Sequence, residues 1–351
     1  MNRIKSLDGA RGIAALLVVL DHYVTALIEA PIDSVAYYIA SFIGSYAVGL
    51  FFITSGFVVA ASATVSSGSD FFVKRIFRLY PIAIAAVALR ILSEYLIDSP
   101  RNLDFENFLL SVSLFGSDVL PNEFLVEPIF WTLAIEVKFY LLIGFAYFFA
   151  RAFKADLYSI ALITLIFLAV GRVHIIPHHP MHQWATNFGV LASTLPMLIL
   201  GWIFWLFHSN QISLQKLIAG LVGILLVFSI APFPIYVSLD KGTPSWLLAF
   251  ATFCYLIYFQ NHCAFLYNKI FQLLGRLSYS LYACHMAVAV LIKHFSPENN
   301  LITFIVFISV SLIVSYGVHV LIETPMVRFS KSLMKPKKVK LTSTEENQKL
   351  Q

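Results

Sequence analysis

Apolar runs dominate the chain and recur with only short polar breaks between them. Stretches long enough to cross a bilayer fall near residues 12–30, 36–62, 76–97, 129–150, 156–176, 184–207, 215–231, 245–260, 273–294 and 301–327. About 20 apolar residues in a helix match a hydrocarbon core of roughly 30 Å, and backbone polar groups in lipid must be satisfied within the segment. The pattern therefore predicts an all-α polytopic membrane protein with about ten transmembrane helices. The runs at 215–231 and 245–260 are the shortest and suit tilted, extended or re-entrant helices. With no long polar interval, residues 1–334 read as one integral membrane domain, and residues 335–351 as a basic and then polar tail.

Composition agrees: 59% of the residues are hydrophobic and 12% charged, with a mean hydropathy of +0.81. Soluble domains carry about 25% charged residues, so a soluble globule is excluded. The net charge of +5 sits largely at the edges of the runs. Arg3, Lys5, Lys74, Arg75, Arg78, Arg151, Lys154, Lys216, Lys269 and the string Lys335-Pro336-Lys337-Lys338-Val339-Lys340 fall on one side, and Arg101, Arg172 and Lys241 on the other. Positive charge stays in the cytoplasm, so both termini are expected there, in contact with lipid headgroups rather than nucleic acid. The basic start and first run resemble a secretory signal, but Asp21 and His22 interrupt the run, which reads as a retained first span.

Cys254, Cys263 and Cys284 lack CxxC spacing and read as packing residues. His174, His178, His179 and His182 crowd a loop broken by Pro177 and Pro180, and no metal site is expected there, because a zinc site needs ligands that converge in a tetrahedron. Trp184, Trp202 and Trp205 suit interface anchors. The stretch 98–128, with Asp98, Asp104, Glu106, Asp118, Glu123 and Glu127, is the longest polar connection, expected to be a solvated loop with a short amphipathic helix at 105–115.

Two costly residues share the first run. Arg11 and His22 are eleven positions apart, which at about 100° per residue returns them to nearly one face, roughly 16 Å apart along the axis. If the hydrocarbon begins near Gly12, His22 lies about 15 Å in, close to mid-membrane. Such a residue is either functional or a bundle-interior group paired with a carbonyl or with Glu136. Asp8 is placed to cap the helix that carries both.

Further along the chain come Ser55-Gly56-Phe57, then Arg75 and Arg78 at i and i+3, then Trp131-Thr132-Leu133-Ala134-Ile135-Glu136-Val137-Lys138-Phe139-Tyr140. The ninth run carries Leu277-Ser278-Tyr279-Ser280-Leu281-Tyr282 and His285, and the tenth ends in Glu323-Thr324-Pro325. In this order the strings resemble the acyltransferase-3 family of bacterial integral membrane acyltransferases, many of which O-acetylate surface carbohydrates. The resemblance covers nearly the whole chain. The family's arginine, ten residues and histidine fall on Arg11 and His22, its RxxR on Arg75 and Arg78, and its Trp, Glu and Phe-Tyr string on Trp131, Glu136, Phe139 and Tyr140. The chain has Cys284 where many members have tryptophan, and it lacks the proline that often follows, so the resemblance speaks less for His285. It also lacks the hydrolase-like periplasmic domain that some members carry, so transfer is expected to finish in the membrane domain.

The resemblance implies an inner-membrane enzyme that passes an acyl group, acetyl above all, from cytoplasmic acyl-coenzyme A to a hydroxyl of a surface glycan or its lipid-linked precursor. No resident cofactor is implied. The residue chemistry fits this: His22 suits the general base, with Glu136 supporting it, while Arg11, Arg75 and Arg78 suit the donor's phosphates. Trp131, Tyr140 and His285 are then candidates to hold substrate, and the acidic stretch 98–128 a surface that grips a glycan. Glu136 has an alternative as an ion-pair partner of Lys138, and Glu323 as a partner of one of the arginines. The competing function is a proton-coupled transporter with an intramembrane His, Arg and Glu relay, against which stands the lack of a visible inverted repeat.

Overall fold

The structure, a computed structural model, describes residues 4–99, 105–119, 126–174, 183–229, 239–296 and 301–334. The tail 335–351, His178, His179 and His182 lie outside them, as do the side chains of His174 and Trp184. In chain order the helices are α1 (Lys5–His22), α2 (Val35–Val65), α3 (Gly68–Leu96), α4 (Phe105–Ser113), α5 (Gly116–Val119), α6 (Trp131–Phe153), α7 (Leu157–His174), α8 (Gln183–His208), α9 (Leu214–Ser229), α10 (Leu239–Tyr258), α11 (Lys269–Phe295), α12 (Leu301–Val318) and α13 (Thr324–Leu333). Among the described residues, seven stretches are long and apolar enough to cross a membrane: Lys5–Leu27, Val35–Val65, Gly68–Leu96, Trp131–Phe153, Asn187–His208, Lys269–Phe295 and Leu301–Leu333. Leu157–Val173, Leu214–Phe228 and Pro244–Tyr258 are apolar but shorter, and they account for the other three predicted runs. The protein is an all-α multi-pass membrane protein.

Local chemistry explains where helices start and stop. Ser67 caps α3 by accepting the amide of Asp70 at 3.1 Å, so the helix begins at Gly68 rather than near residue 76. Lys74, Arg75 and Arg78 are consequently helical, not part of a loop. α1 begins at Lys5 without a side-chain cap, which moves Asp8 from the expected cap into the first turn, where its charge still opposes the helix dipole. Lys154 adopts φ 55° and closes α6 with a left-handed C-cap. Two π-helical turns interrupt the regular ladder, Tyr23–Leu27 directly after His22 and His319–Glu323 directly before α13. Such turns often mark functional positions.

The acidic connection folds as a short helix, α4, as the pattern predicts. Two of its charges turn inward instead of facing solvent: Asp118 meets Lys138 at 2.6 Å, and Glu127 is 1% exposed. Trp202 and Trp205 are buried in the bundle, not at its interfaces, and Trp205 Nε1 donates to Thr64 Oγ1 at 3.1 Å. The cause is close contact between α8 and α2, where a Cβ on Gly201 would stand 2.1 Å from the carbonyl oxygen of Ile53. The three cysteines are free, two of them buried.

The seam between α1 and α11 positions the site. A Cβ on Gly12 would lie 2.6 Å from the Gly275 nitrogen, and one on Gly275 would lie 2.2 Å from the Asp8 carbonyl oxygen. Only glycines allow the two backbones to come this near. About ten residues, or roughly 15 Å, further along both helices, His22 meets His285. α1 and α11 therefore run parallel and in one register.

Gly275→Val is expected to force the seam apart and to cost at least about 1–3 kcal/mol, read as a lower thermal midpoint in detergent. Gly223→Ala on α9 is the control, because nothing lies within 4 Å of a Cβ placed there. Equal midpoints for Gly275→Val and the unaltered protein would show that the seam does not hold the bundle.

Candidate active site

His22 ends α1 and His285 lies in the middle of α11, wholly buried. The two rings meet through His285 Nε2 and His22 Nδ1 at 3.0 Å. His285 Nδ1 faces two backbone carbonyls, Tyr282 at 2.8 Å and Leu281 at 3.1 Å. A carbonyl only accepts, so this nitrogen carries the proton, and in the neutral ring Nε2 is then an acceptor. His22 Nδ1 must therefore be the donor in the pair, which leaves its Nε2 unprotonated. Two carbonyls on α11 thus dictate the tautomer of a histidine on α1, the arrangement a general base requires. Arg90 braces the same stretch, with its Nη1 donating to the Met286 carbonyl at 3.4 Å while its Nε pairs with Glu94 at 2.8 Å.

A cavity of about 680 Å³ opens at the end of the bundle where α1, α3 and α11 begin and α13 runs. Arg11, Arg78, Arg276, Arg328 and Lys331 line it, against the carboxylates of Asp8 and Glu323. The excess of cations suits an anionic ligand. Arg276, Arg328 and Lys331 are exposed, whereas Arg11 and Arg78 are only partly so, which grades the cavity from a wet basic rim to a drier basic floor. Glu323 is not paired with an arginine, as the sequence suggested. Its Oε2 accepts from Ser280 at 2.8 Å and meets His319 Nδ1 at 2.8 Å.

Beyond Arg11 lies a second space of about 40 Å³, bordered by Phe51, Ser55, Thr132, Glu136, Tyr279 and Tyr282 as well as by Arg11 itself. It holds a few water molecules at most. Glu136 does not orient His22: its Oε1 accepts from Ser55 at 2.5 Å and from Tyr140 at 2.6 Å, while the histidine turns to His285. Nor does it pair with Lys138, which Asp118 has taken. Glu136 instead sits within electrostatic reach of Arg11 and Arg75 and offsets their buried charge. Tyr282 separates this space from the histidines, its ring 6.0 Å from that of His285 and its hydroxyl bonded to Thr132 at 2.7 Å.

The fold thus divides the residues singled out from the sequence. Arg11 and Arg78 share the basic cavity, but Arg75 does not line it. The Arg75 guanidinium lies 5.4 Å from the Phe71 ring and 5.3 Å from the Tyr140 ring, a cation–π clamp behind Glu136. Tyr140 serves Glu136, and Trp131 lies edge-on to Phe52, so neither lines either of these two spaces. His285, in contrast, is the partner of His22. Sequence reasoning noted Ser55 and Ser280 without giving them a role, and passed over His319, Arg276, Arg328 and Lys331. The i, i+4 spacing of His319 and Glu323 and the basic helical face after Pro325 were the available signals.

A tautomer-fixed imidazole at one depth and a cation-lined cavity at another suit transfer of a group from an anionic carrier to an alcohol. No curated protein and no solved structure matches the chain. Residues 4–320 do match the acyltransferase-3 family, described as an acyltransferase domain, which spans the basic floor, the glutamate and both histidines. The chain belongs to the acyltransferase-3 family and is a membrane acyltransferase.

Proposed function

We propose that the protein moves an acyl group, acetyl above all, from cytoplasmic acyl-coenzyme A to a hydroxyl of a cell-surface glycan or of its lipid-linked precursor, in a bacterial inner membrane. The observation that carries this reading is the course of α1, which leads from Arg11 on the floor of the basic cavity to His22 about 16 Å further along. The clustering of cations at one end of the bundle supports cytoplasmic termini.

In this reading Arg11 and Arg78 hold the donor's phosphates through their planar forks, and the rim cations draw the anion in. The pantetheine arm then extends past Arg11 toward the histidines. Its passage requires Arg11 and the Phe51 ring, now 5.9 Å apart, to separate, because the space beyond them is so small. His22 Nε2 takes the acceptor's hydroxyl proton as the oxygen attacks the thioester carbonyl. The departing thiolate takes that proton back from the imidazolium, and no charge is left over. His285 holds the ring of His22 and shares the transient positive charge through Nε2, a place a carboxylate takes in other His-centred sites. Glu136 balances the charge of the arginines.

His22→Ala should reduce acyl transfer by at least about a hundredfold, the usual scale of general-base catalysis, while membrane insertion and stabilisation by acetyl-coenzyme A persist. Transfer within twofold of the unaltered enzyme would remove His22 as the base. His285→Ala should lower kcat by about tenfold or more with little change in KM for the donor, since it acts on the base and not on binding; a rise in KM alone would assign it to substrate instead. Arg78→Gln should abolish the upward shift in Tm that acetyl-coenzyme A gives the purified protein. A protein that shows no such shift at all would favour the transporter.

A further inference from the structure

Two residues that border the small space beyond Arg11 each carry a hydrogen-bond donor without a partner. Arg11 Nε and the Tyr279 hydroxyl are both buried away from solvent, and neither has a hydrogen bond among the described residues. Tyr279 as a whole is 7% exposed. The other polar side chains that border this space have partners, since Tyr282 bonds Thr132 and the Ile129 carbonyl, Ser55 is spent on Glu136, and Ser278 donates to the Gly275 carbonyl. A buried donor left unpaired costs free energy, so a pair of them bordering one space calls for an acceptor from outside the chain.

The register of α11 says where along the donor that acceptor lies. Tyr279 is six positions before His285, about 9 Å short of the histidine pair, whereas Arg11 is about 16 Å short. Tyr279 therefore stands between Arg11, at the inner edge of the phosphate floor, and the reacting thioester. The part of acyl-coenzyme A that occupies this interval is the pantetheine arm, whose polar groups include amide carbonyls.

We propose that Tyr279, together with Arg11 Nε, is a positioning site for an amide carbonyl of the donor's pantetheine arm. The inference rests on the acyl-coenzyme A reading above. Tyr279 then measures the arm and sets how far the thioester extends toward His22, without touching the reacting atoms.

Tyr279→Phe tests it, because it removes only the hydroxyl and keeps the ring in place. The variant should bind acetyl-coenzyme A about five- to tenfold more weakly, the loss of one hydrogen bond. Adenosine 3′,5′-bisphosphate, which has the charged end and no arm, should bind the variant and the unaltered protein equally. The Tm of the ligand-free variant should equal or exceed that of the parent, since an unsatisfied buried hydroxyl is gone. A tyrosine that merely holds the fold would instead lower Tm and weaken both ligands together, and that result overturns the proposal. Unchanged acetyl-coenzyme A affinity overturns it as well. If the unaltered protein binds neither compound, the donor reading itself fails, and this inference with it.

Discussion

The backbone contact of α1 with α11 at Gly12 and Gly275 is the constraint on which the site depends. Between helices in lipid there is little hydrophobic drive, so close packing over small residues does much of the work of association. This contact fixes more than proximity. Because the two helices run parallel in one register, the glycine contact at one level sets the histidine pair about 15 Å away. Shifting the register of α11 by one residue would turn His285 about 100° away from His22, while its Nδ1 contacts with Leu281 and Tyr282, which lie within α11, would stay as they are.

Charge burial is handled by division of labour along the same axis. Arg11, Arg75 and Arg78 would be expensive in a dry interior, and the protein offsets them in separate ways. Arg11 and Arg78 border an open cavity, Arg75 lies against two aromatic rings, and Glu136 supplies a nearby negative charge held by Ser55 and Tyr140. Glu323 is fastened by Ser280 and His319 and so faces the cavity without neutralising an arginine directly. The histidines, in contrast, need no ion pair, because each neutral ring can meet its neighbours through one donor and one acceptor. The basic end is thereby left able to attract an anion.

The π-helical turns fit this plan. One follows His22 and the other carries His319 through Glu323, so each shift in the helical ladder falls where a side chain has to be re-aimed. Arg90 and Glu94 add a buried pair from α3 that steadies the α11 backbone beside His285.

What the chain determines by itself is set by solvent. Apolar runs of spanning length can only be helices in lipid, so the all-α fold and most helix positions were legible, as were the costly side chains Arg11, His22, Arg75, Arg78 and Glu136. The three short apolar helices blurred the count of spans, since length in sequence does not say how a neighbour shields a helix end. Pairing was not legible. Whether Glu136 turns to His22, Lys138 or Ser55, and whether Trp202 faces lipid or protein, depends on rotations about helix axes that only the contacts between helices decide. The partner of His22 lies 263 residues away, beyond the reach of any local pattern, and two glycines small enough to let backbones touch brought it there.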